Sequence, residues 1–243
     1  WNGFNEKTFV GLENFRTIWS DETFRISLKN TLLYSIMFVP SSLILSLAVS
    51  VALNNGIRGV KVFRTMYFLP YITATIACAA VWQLIFHPTM GPINNFLRAL
   101  GMSEPPSWLG SSKWALTSVT IVSVWKQMGY YIVIFLAGLQ GVPRDLYEAA
   151  DLDGANGWQK FINVTVPMLS PVIFFASIMA VINSFKIFDM VYSLTDGGPG
   201  RATNVLVYAI YTEAFRKYRF GSASAMAYVL FAIIMIVTLI QFR

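Results

Sequence analysis

The residues that usually build catalytic and metal sites are scarce in this chain. Its 243 residues include one cysteine and one histidine, and only 12% are charged, about half the share found in a soluble domain. Lone Cys78 leaves no disulfide framework and no metal cluster, and it is expected to be a small buried hydrophobe. Lone His87, beside Pro88, is expected to be a loop residue. The sequence therefore predicts no metal site and no cofactor.

Signatures of enzymes and nucleic-acid-binding proteins are missing as well. The apolar stretches contain neither a Ser-His-Asp arrangement nor paired carboxylates, and no Walker A pattern is present, so ATP would have to bind elsewhere. The net charge of +6 comes from dispersed Lys and Arg residues without a nucleic-acid-binding motif. We therefore predict a protein that is not an enzyme and has no nucleic-acid partner.

Apolar sequence is abundant, at 56% hydrophobic residues. A membrane span needs about 20 apolar residues, and windows of this kind predict an all-α, polytopic helical bundle with spans at 30–54, 65–86, 114–139, 168–188 and 221–242. Pro40 predicts a kink in the first of them. Residues 1–29 are expected to be an extracytoplasmic, interfacial segment with a short helix near 12–19. The chain begins without Met and ends directly after an apolar run, so a fragment is expected.

The polar segment 140–167 separates the third and fourth predicted spans. It contains four of the twelve acids within nine residues, namely Asp145, Glu148, Asp151 and Asp153. The pattern predicts a helix, a glycine turn and a second short helix, with Pro167 opening the next span. Leu146, Ala149 and Ala150 share one helical face. Small residues beside acids favour a docking surface, although an amphipathic surface loop without a partner is the alternative.

One motif in this segment resembles a known family. Glu148-Ala149-Ala150, then three residues, Gly154, nine residues and Val164-Thr165-Val166-Pro167 are similar to the EAA loop of ABC-importer permeases, with valines in place of Ile and Leu. The resemblance implies a cytoplasmic coupling helix that sits in a cleft of an ATPase subunit. The implied ATPase-coupling residues are Glu148, Ala149, Ala150, Asp153 and Gly154.

Two further motifs resemble the sugar-specific branch of that family. They are Trp125-Lys126-x-x-Gly129-Tyr130 and the element Thr195-x-Gly197-Gly198-Pro199. The branch implies a bacterial carbohydrate importer in the cell membrane and a six-span core, so that one span would precede Trp1. It also implies as partners a second related permease subunit, two ATPase subunits, an extracytoplasmic solute-binding protein, a sugar substrate and membrane lipid.

A small group of polar and aromatic residues could line the substrate path. An intramembrane charge is costly and indicates function, which singles out Lys126; snorkelling to the interface is the alternative. Aromatic rings can cover the C–H face of a sugar while polar groups bond its hydroxyls, although interfacial-belt aromatics and a local Lys186–Asp189 pair would explain the same pattern. The predicted path residues are Trp125, Lys126, Tyr130, Asn183, Phe185 and Asp189. Lys126 and Lys186 leave room for an anionic sugar.

The orientation implied by a cytoplasmic EAA loop conflicts with a plain count of cations. Six would lie inside, at Arg58, Lys61, Arg64, Arg144, Lys160 and Arg243, and ten outside, at Lys7, Arg16, Arg25, Lys29, Arg98, Lys113, Arg201, Arg216, Lys217 and Arg219. The positive-inside rule weights short loops, and the dense cluster at 58–64 agrees with it. We therefore assign the orientation from the EAA loop, which is expected to be cytoplasmic.

Three other functions are compatible with a membrane bundle. An ion-coupled secondary transporter would need intramembrane acids or histidines as relays, and the spans offer none beyond Asp189 at a boundary. A membrane enzyme would need a catalytic cluster. An ABC importer for amino acids or phosphate would leave the Thr-x-Gly-Gly-Pro element unexplained.

Overall fold

The computed structural model describes residues 9–54 and 59–242, apart from the side chain of Lys61. The predictions for Arg58 and for the first residues of the chain lie outside this part. Every regular element in the described part is helical, which confirms the all-α fold. The helices are α1 Glu13–Ser20, α2 Glu22–Asn54, α3 Val60–Ile72, α4 Thr75–Ile85, α5 Pro92–Ala99, α6 Ala115–Gln140, α7 Arg144–Leu152, α8 Gly157–Lys160, α9 Val166–Phe185, α10 Asp189–Leu194, α11 Leu206–Tyr211 and α12 Phe220–Gln241. Two π-turns lie at Phe161–Thr165 and Thr212–Arg216.

Within the described residues, four helical stretches are long and apolar enough to cross a membrane: α2, α6, Gly157–Phe185 and α12. A fifth span results if α3 and α4 are counted as one broken span. Helix α2 passes through Pro40 and starts at Glu22, earlier than the predicted residue 30. Helix α1 lies where the short interfacial helix is predicted.

The predicted span 65–86 is not one helix. Thr73 and Ala74 are extended, with ψ angles of 141° and 131°, so the helix ends at Ile72 and a new one begins at Thr75. The last carbonyl groups of α3 consequently lack the N–H partners that a continuous helix would supply. Pro70, which cannot donate a backbone hydrogen bond, weakens the helix directly before the break.

The second short helix of the predicted hairpin is not separate from the next span. Helix α8 continues through the π-turn Phe161–Thr165 into α9, giving one helical stretch from Gly157 to Phe185. Helix α9 starts at Val166, so Pro167 lies in its first turn as predicted, but the residues before it are helical as well. Proline clashes with the carbonyl group four residues back in a regular α-helix, and the preceding π-turn replaces that regular pattern. The stretch ends at Phe185 rather than at the predicted residue 188.

The chain divides into two compact units. One contains residues up to Phe38, Ala74–Ser123 and the chain from Val181 onward. Its core joins α1, the start of α2, α11 and α12 through Ile18, Phe24, Leu206, Ala209, Ala225 and Met226. Cys78, in this unit, is buried as predicted. His87 lies in the turn after α4, where its Nδ1 accepts a hydrogen bond from the backbone N–H of Met90.

The other unit comprises Val39–Thr73 and Val124–Ala180. Its apolar core contains Leu53, Ile132 and Leu136. Two hydroxyls of α2 donate to carbonyl groups of α6: Ser46 Oγ to Met128 O at 3.2 Å and Ser50 Oγ to Ile132 O at 3.1 Å. Small residues with hydroxyl groups let helices approach closely and bond across the interface in an apolar environment. This unit contains the hairpin and Lys126.

Candidate functional site

Helix α7 forms the exposed first arm of the hairpin. None of its residues is buried. Glu148 and Ala149 are exposed, and Ala150 is half-buried. Asp145 lies in the first turn, where a carboxylate interacts favourably with the helix dipole. Glu148 makes no hydrogen bond or ion pair with any residue that the structure describes, so its charge is available to a partner.

Gly154 shapes the turn at the tip of the hairpin. Asp153 is the C-cap residue of α7, and Gly154 follows it with a φ angle of +75°. The Gly154 N–H donates to Asp151 O at 3.0 Å and the Ala155 N–H to Ala150 O at 2.9 Å, which is the Schellman arrangement that closes many helices. A side chain at Gly154 would be strained in this left-handed conformation.

The second arm begins with a capping box. Asn156 Oδ1 accepts from the Gln159 N–H at 2.9 Å, and Gln159 Oε1 accepts from the Asn156 N–H at 2.8 Å. Lys160 then pairs with Asp151 of the first arm, with 2.7 Å between Nζ and Oδ1. The hairpin is therefore held by its own contacts within the described chain.

Apolar side chains on both arms face outward. Leu152 is 90% exposed and Trp158 70% exposed. Large exposed apolar groups beside unpaired charge are typical of a protein interaction surface. We call α7 and α8, with the turn between them, the hairpin surface.

A cavity of about 580 Å³ lies behind the hairpin surface. The ends of α2 and α6 line it with Asn54 and Gln140, and the hairpin contributes Tyr147, Lys160 and Thr165. On its wall the Tyr147 and Thr165 hydroxyls form a hydrogen bond, with 3.0 Å between Oη and Oγ1. The first arm is therefore bonded to the π-turn that leads into α9.

Lys126, in the middle of α6, caps the broken end of α3. Its Nζ donates to Thr73 O at 2.8 Å, Tyr71 O at 3.1 Å and Pro70 O at 3.2 Å. The ammonium group has three N–H donors, and these carbonyl groups engage all of them. A cation at a helix C-terminus also interacts favourably with the helix dipole.

Two neighbours of Lys126 pack against the same end of α3. The Tyr130 ring stacks on Tyr71 with 5.2 Å between centroids. Gly129 lies so close to α3 that a Cβ atom there would be 2.1 Å from Tyr67 O, which requires glycine. Trp125 remains 38% exposed. The structure thus places Lys126 and Tyr130 together at one helix end.

The remaining predicted path residues lie in the other unit. Asn183 is half-buried on α9, and Asp189 is exposed in the first turn of α10. Phe185 is 4% exposed, so its ring is packed rather than presented to a solute. The alternative Lys186–Asp189 ion pair is not among the contacts of the described residues.

One polar cluster was missed by the sequence reasoning. Asp196 lies in the Thr195–Gly200 loop. Its Oδ1 accepts a hydrogen bond from Arg216 Nη2 at 2.8 Å, and its backbone carbonyl accepts one from Tyr208 Oη at 2.8 Å. The hydrogen bond from Arg216 holds the pKa of Asp196 below its usual range, against the opposing effect of burial. Burial raises the pKa of Tyr208. The glycines indicate a loop, but no spacing pairs Asp196 with Arg216.

Side chains from two helices of the same unit bond to the chain on either side of this loop. Asn30 Nδ2 of α2 donates to Arg201 O at 3.0 Å and Asn204 O at 3.1 Å. Gln83 Nε2 of α4 donates to Ser193 O at 3.0 Å. The loop is consequently a fixed part of its unit.

Long apolar helices, a polar hairpin directly before one of them and a charged side chain within another are typical of a membrane transport subunit. The sequence model of the family described as "Binding-protein-dependent transport system inner membrane component" matches residues 23–243. The chain belongs to this family and is a permease subunit of the inner membrane.

Relatives with similar sequences are named as permeases. The sn-glycerol-3-phosphate transport system permease protein UgpA of Agrobacterium fabrum is 36% identical over 236 residues, covering 97% of this chain and 80% of that protein. The probable ABC transporter permease protein YurN of Bacillus subtilis is 35% identical over 247 residues, covering 100% and 85%. A solved bacterial ABC transporter for import of the acidic polysaccharide alginate has a similar fold, with a TM-score of 0.87, 22% identity and coverage of 97% of this chain and 83% of that chain.

Proposed function

We propose that this chain is a permease subunit of an ATP-driven importer for carbohydrates, including anionic ones. The observation that carries the proposal is its 36% identity, over nearly its whole length, to a permease named for sn-glycerol-3-phosphate. The Trp125–Tyr130 and Thr195–Gly200 motifs, which resemble the sugar-specific branch, support it. An anionic solute also fits exposed Lys186, whereas the donors of Lys126 are engaged by carbonyl groups.

In this proposal ATP is hydrolysed by a separate ATPase dimer, which docks on the hairpin surface. Exposed Glu148, Ala149 and Asp153 would contact it, and Gly154 would hold the turn in shape. A second related permease subunit completes the translocation path, and an extracytoplasmic solute-binding protein delivers the sugar.

Trp125, Lys126 and Tyr130 of one unit stay proposed path residues, as do Asn183 and Asp189 of the other. Asn183 can supply both a donor and an acceptor to a sugar hydroxyl, and Trp125 offers exposed ring surface. Phe185 is buried and would not touch the solute in this scheme.

Reconstitution tests the function. The complete importer is reconstituted in proteoliposomes. ATP is enclosed inside the vesicles, and the binding protein and radiolabelled solutes are added outside. We expect ATP-dependent uptake of a sugar or sugar phosphate and none of an amino acid. Uptake driven by an ion gradient without ATP would replace the proposal with a secondary transporter.

The proposed orientation places residues 88–113 and 190–220 outside the cell and the hairpin inside. Ser112 is exposed, as is Leu152 on the hairpin. With Cys78 replaced by alanine, Ser112→Cys should react with an impermeant maleimide added to intact cells with a permeable outer layer. Leu152→Cys, the matched variant, should react only after lysis. The reverse pattern would invert the topology, in agreement with the plain count of cations.

A further inference from the structure

The two arms of the hairpin are joined at two places. Near the tip, Asp151 of α7 pairs with Lys160 at 2.7 Å. Nearer the base, Tyr147 of α7 is bonded to Thr165 at 3.0 Å. Because the second arm is continuous with α9, both links connect α7 to a membrane-spanning helix. A displacement of α7 therefore acts on α9 through these side chains as well as through the turn.

The two links differ in their surroundings. The Asp151 side chain is 59% exposed, and exposed ion pairs contribute little. Thr165 is 5% exposed, and an unmade hydrogen bond at a buried group is costly. The Tyr147–Thr165 link is consequently the one whose loss has the larger effect.

Thr165 is also the last residue of the π-turn. The Val166 N–H bonds to Phe161 O across this turn, and the Thr165 hydroxyl reaches Lys160 O at 3.4 Å. π-turns interrupt regular helical hydrogen bonding and are frequent at functional positions. The 580 Å³ cavity beside them leaves room on one side of the link.

We infer that Tyr147 is a positioning residue for energy coupling: its hydroxyl, bonded to Thr165, transmits displacement of α7 to α9 at the π-turn. The inference rests on the proposed function, because it assumes that an ATPase moves the hairpin. Tyr147 would act through Thr165, and it contacts neither ATP nor solute in this scheme.

Tyr147→Phe removes only the hydroxyl, and Thr165→Val removes its partner while keeping the branched shape. In the complete reconstituted importer, each variant should lower the number of solute molecules imported per ATP hydrolysed by about three- to tenfold, the range that corresponds to one hydrogen bond. Assembly and the rate of ATP hydrolysis should stay near wild type. The double variant should lower the import-to-hydrolysis ratio no further than either single variant does. Thr165→Ser, which keeps the hydroxyl, should retain wild-type coupling.

Tyr228→Phe is the matched control, because Tyr228 is 68% exposed on α12 and makes no hydrogen bond with the described residues. If the wild-type importer shows uptake and Tyr147→Phe has an unchanged import-to-hydrolysis ratio, the inference is overturned but the proposed function is not. Parallel loss of assembly, hydrolysis and uptake would also overturn it, since that is a merely structural role. Absence of ATP-dependent uptake in the wild-type importer would instead remove the proposed function, and the inference with it.

Discussion

Replacing Lys126 with methionine should loosen the broken end of α3 and abolish most transport. The ammonium group donates to the carbonyl groups of Pro70, Tyr71 and Thr73. Methionine has a similar length but no donor, so these carbonyl groups would lose their partners. Hydrogen bonds to charged groups contribute roughly 1.5–3 kcal/mol. Removing only one partner is more destabilising than replacing both partners by apolar groups, because the remaining partner is left unpaired. We expect a local loss of about 3 kcal/mol on this basis.

Hydrogen–deuterium exchange measures this effect where it arises. The amide of Thr73, which bonds to Leu69 O at 3.2 Å, should exchange faster in Lys126→Met, and the purified importer should melt at a lower temperature. Gln127→Met is the matched control on the same helix, because Gln127 makes no hydrogen bond with the described residues. Lys126→Arg should be intermediate, since a planar guanidinium fits three converging acceptors less well. Unchanged exchange at residues 70–76 in Lys126→Met would contradict the capping role.

The importance of Lys126 could be predicted from the sequence, but its contacts could not. An isolated charge in an apolar stretch predicts a functional or structurally important residue without any coordinates. Its partners could not be predicted, because they are backbone carbonyl groups more than fifty residues earlier, and carbonyl groups carry no sequence signature. The break itself lies at Thr73-Ala74, without glycine. Composition therefore predicts an unbroken span where the structure has two helices.

The hairpin was predictable in its first half and not in its second. The sequence indicates a helix followed by a glycine turn, and the structure has that turn, with Gly154 in a left-handed conformation. Pro167 is a common start signal for a helix and lies in the first turn of α9, yet the helical stretch begins earlier, at Gly157. The difference comes from the π-turn at Phe161–Thr165, which no residue pattern marks. The Tyr147–Thr165 bond depends on that turn and was missed for the same reason.

The loop with Thr195-x-Gly-Gly-Pro was recognised as a motif, but not for what its residues do. Local sequence indicates a turn, since paired glycines allow positive φ angles. The contact between Asp196 and Arg216 joins residues twenty positions apart, and Asn30 reaches the loop from another helix. Such long-range polar contacts depend on packing, which residue spacing alone does not specify.

Charge reversal at Glu148 should uncouple this subunit from its ATPase while leaving the subunit itself folded. Glu148 is exposed and its side chain makes no hydrogen bond or ion pair with the described residues, so Glu148→Lys should change the free energy of unfolding by less than about 0.5 kcal/mol. If the hairpin surface docks against basic residues of the ATPase, the new lysine places like charges together, which costs several kcal/mol. Co-purification of the ATPase should then fall by at least about tenfold, and uptake should fall with it.

The affinity of the binding protein for sugar, measured on that protein alone and with the importer, should not change, because Glu148 is not proposed to touch the solute. Glu104→Lys makes the same charge reversal at an exposed residue of the loop 88–113, on the proposed outer side, and should leave ATPase co-purification intact. Glu148→Gln, which removes the charge without reversing it, should have a smaller effect than Glu148→Lys. Normal ATPase assembly and normal transport in Glu148→Lys would show that the hairpin surface does not dock the ATPase through this residue.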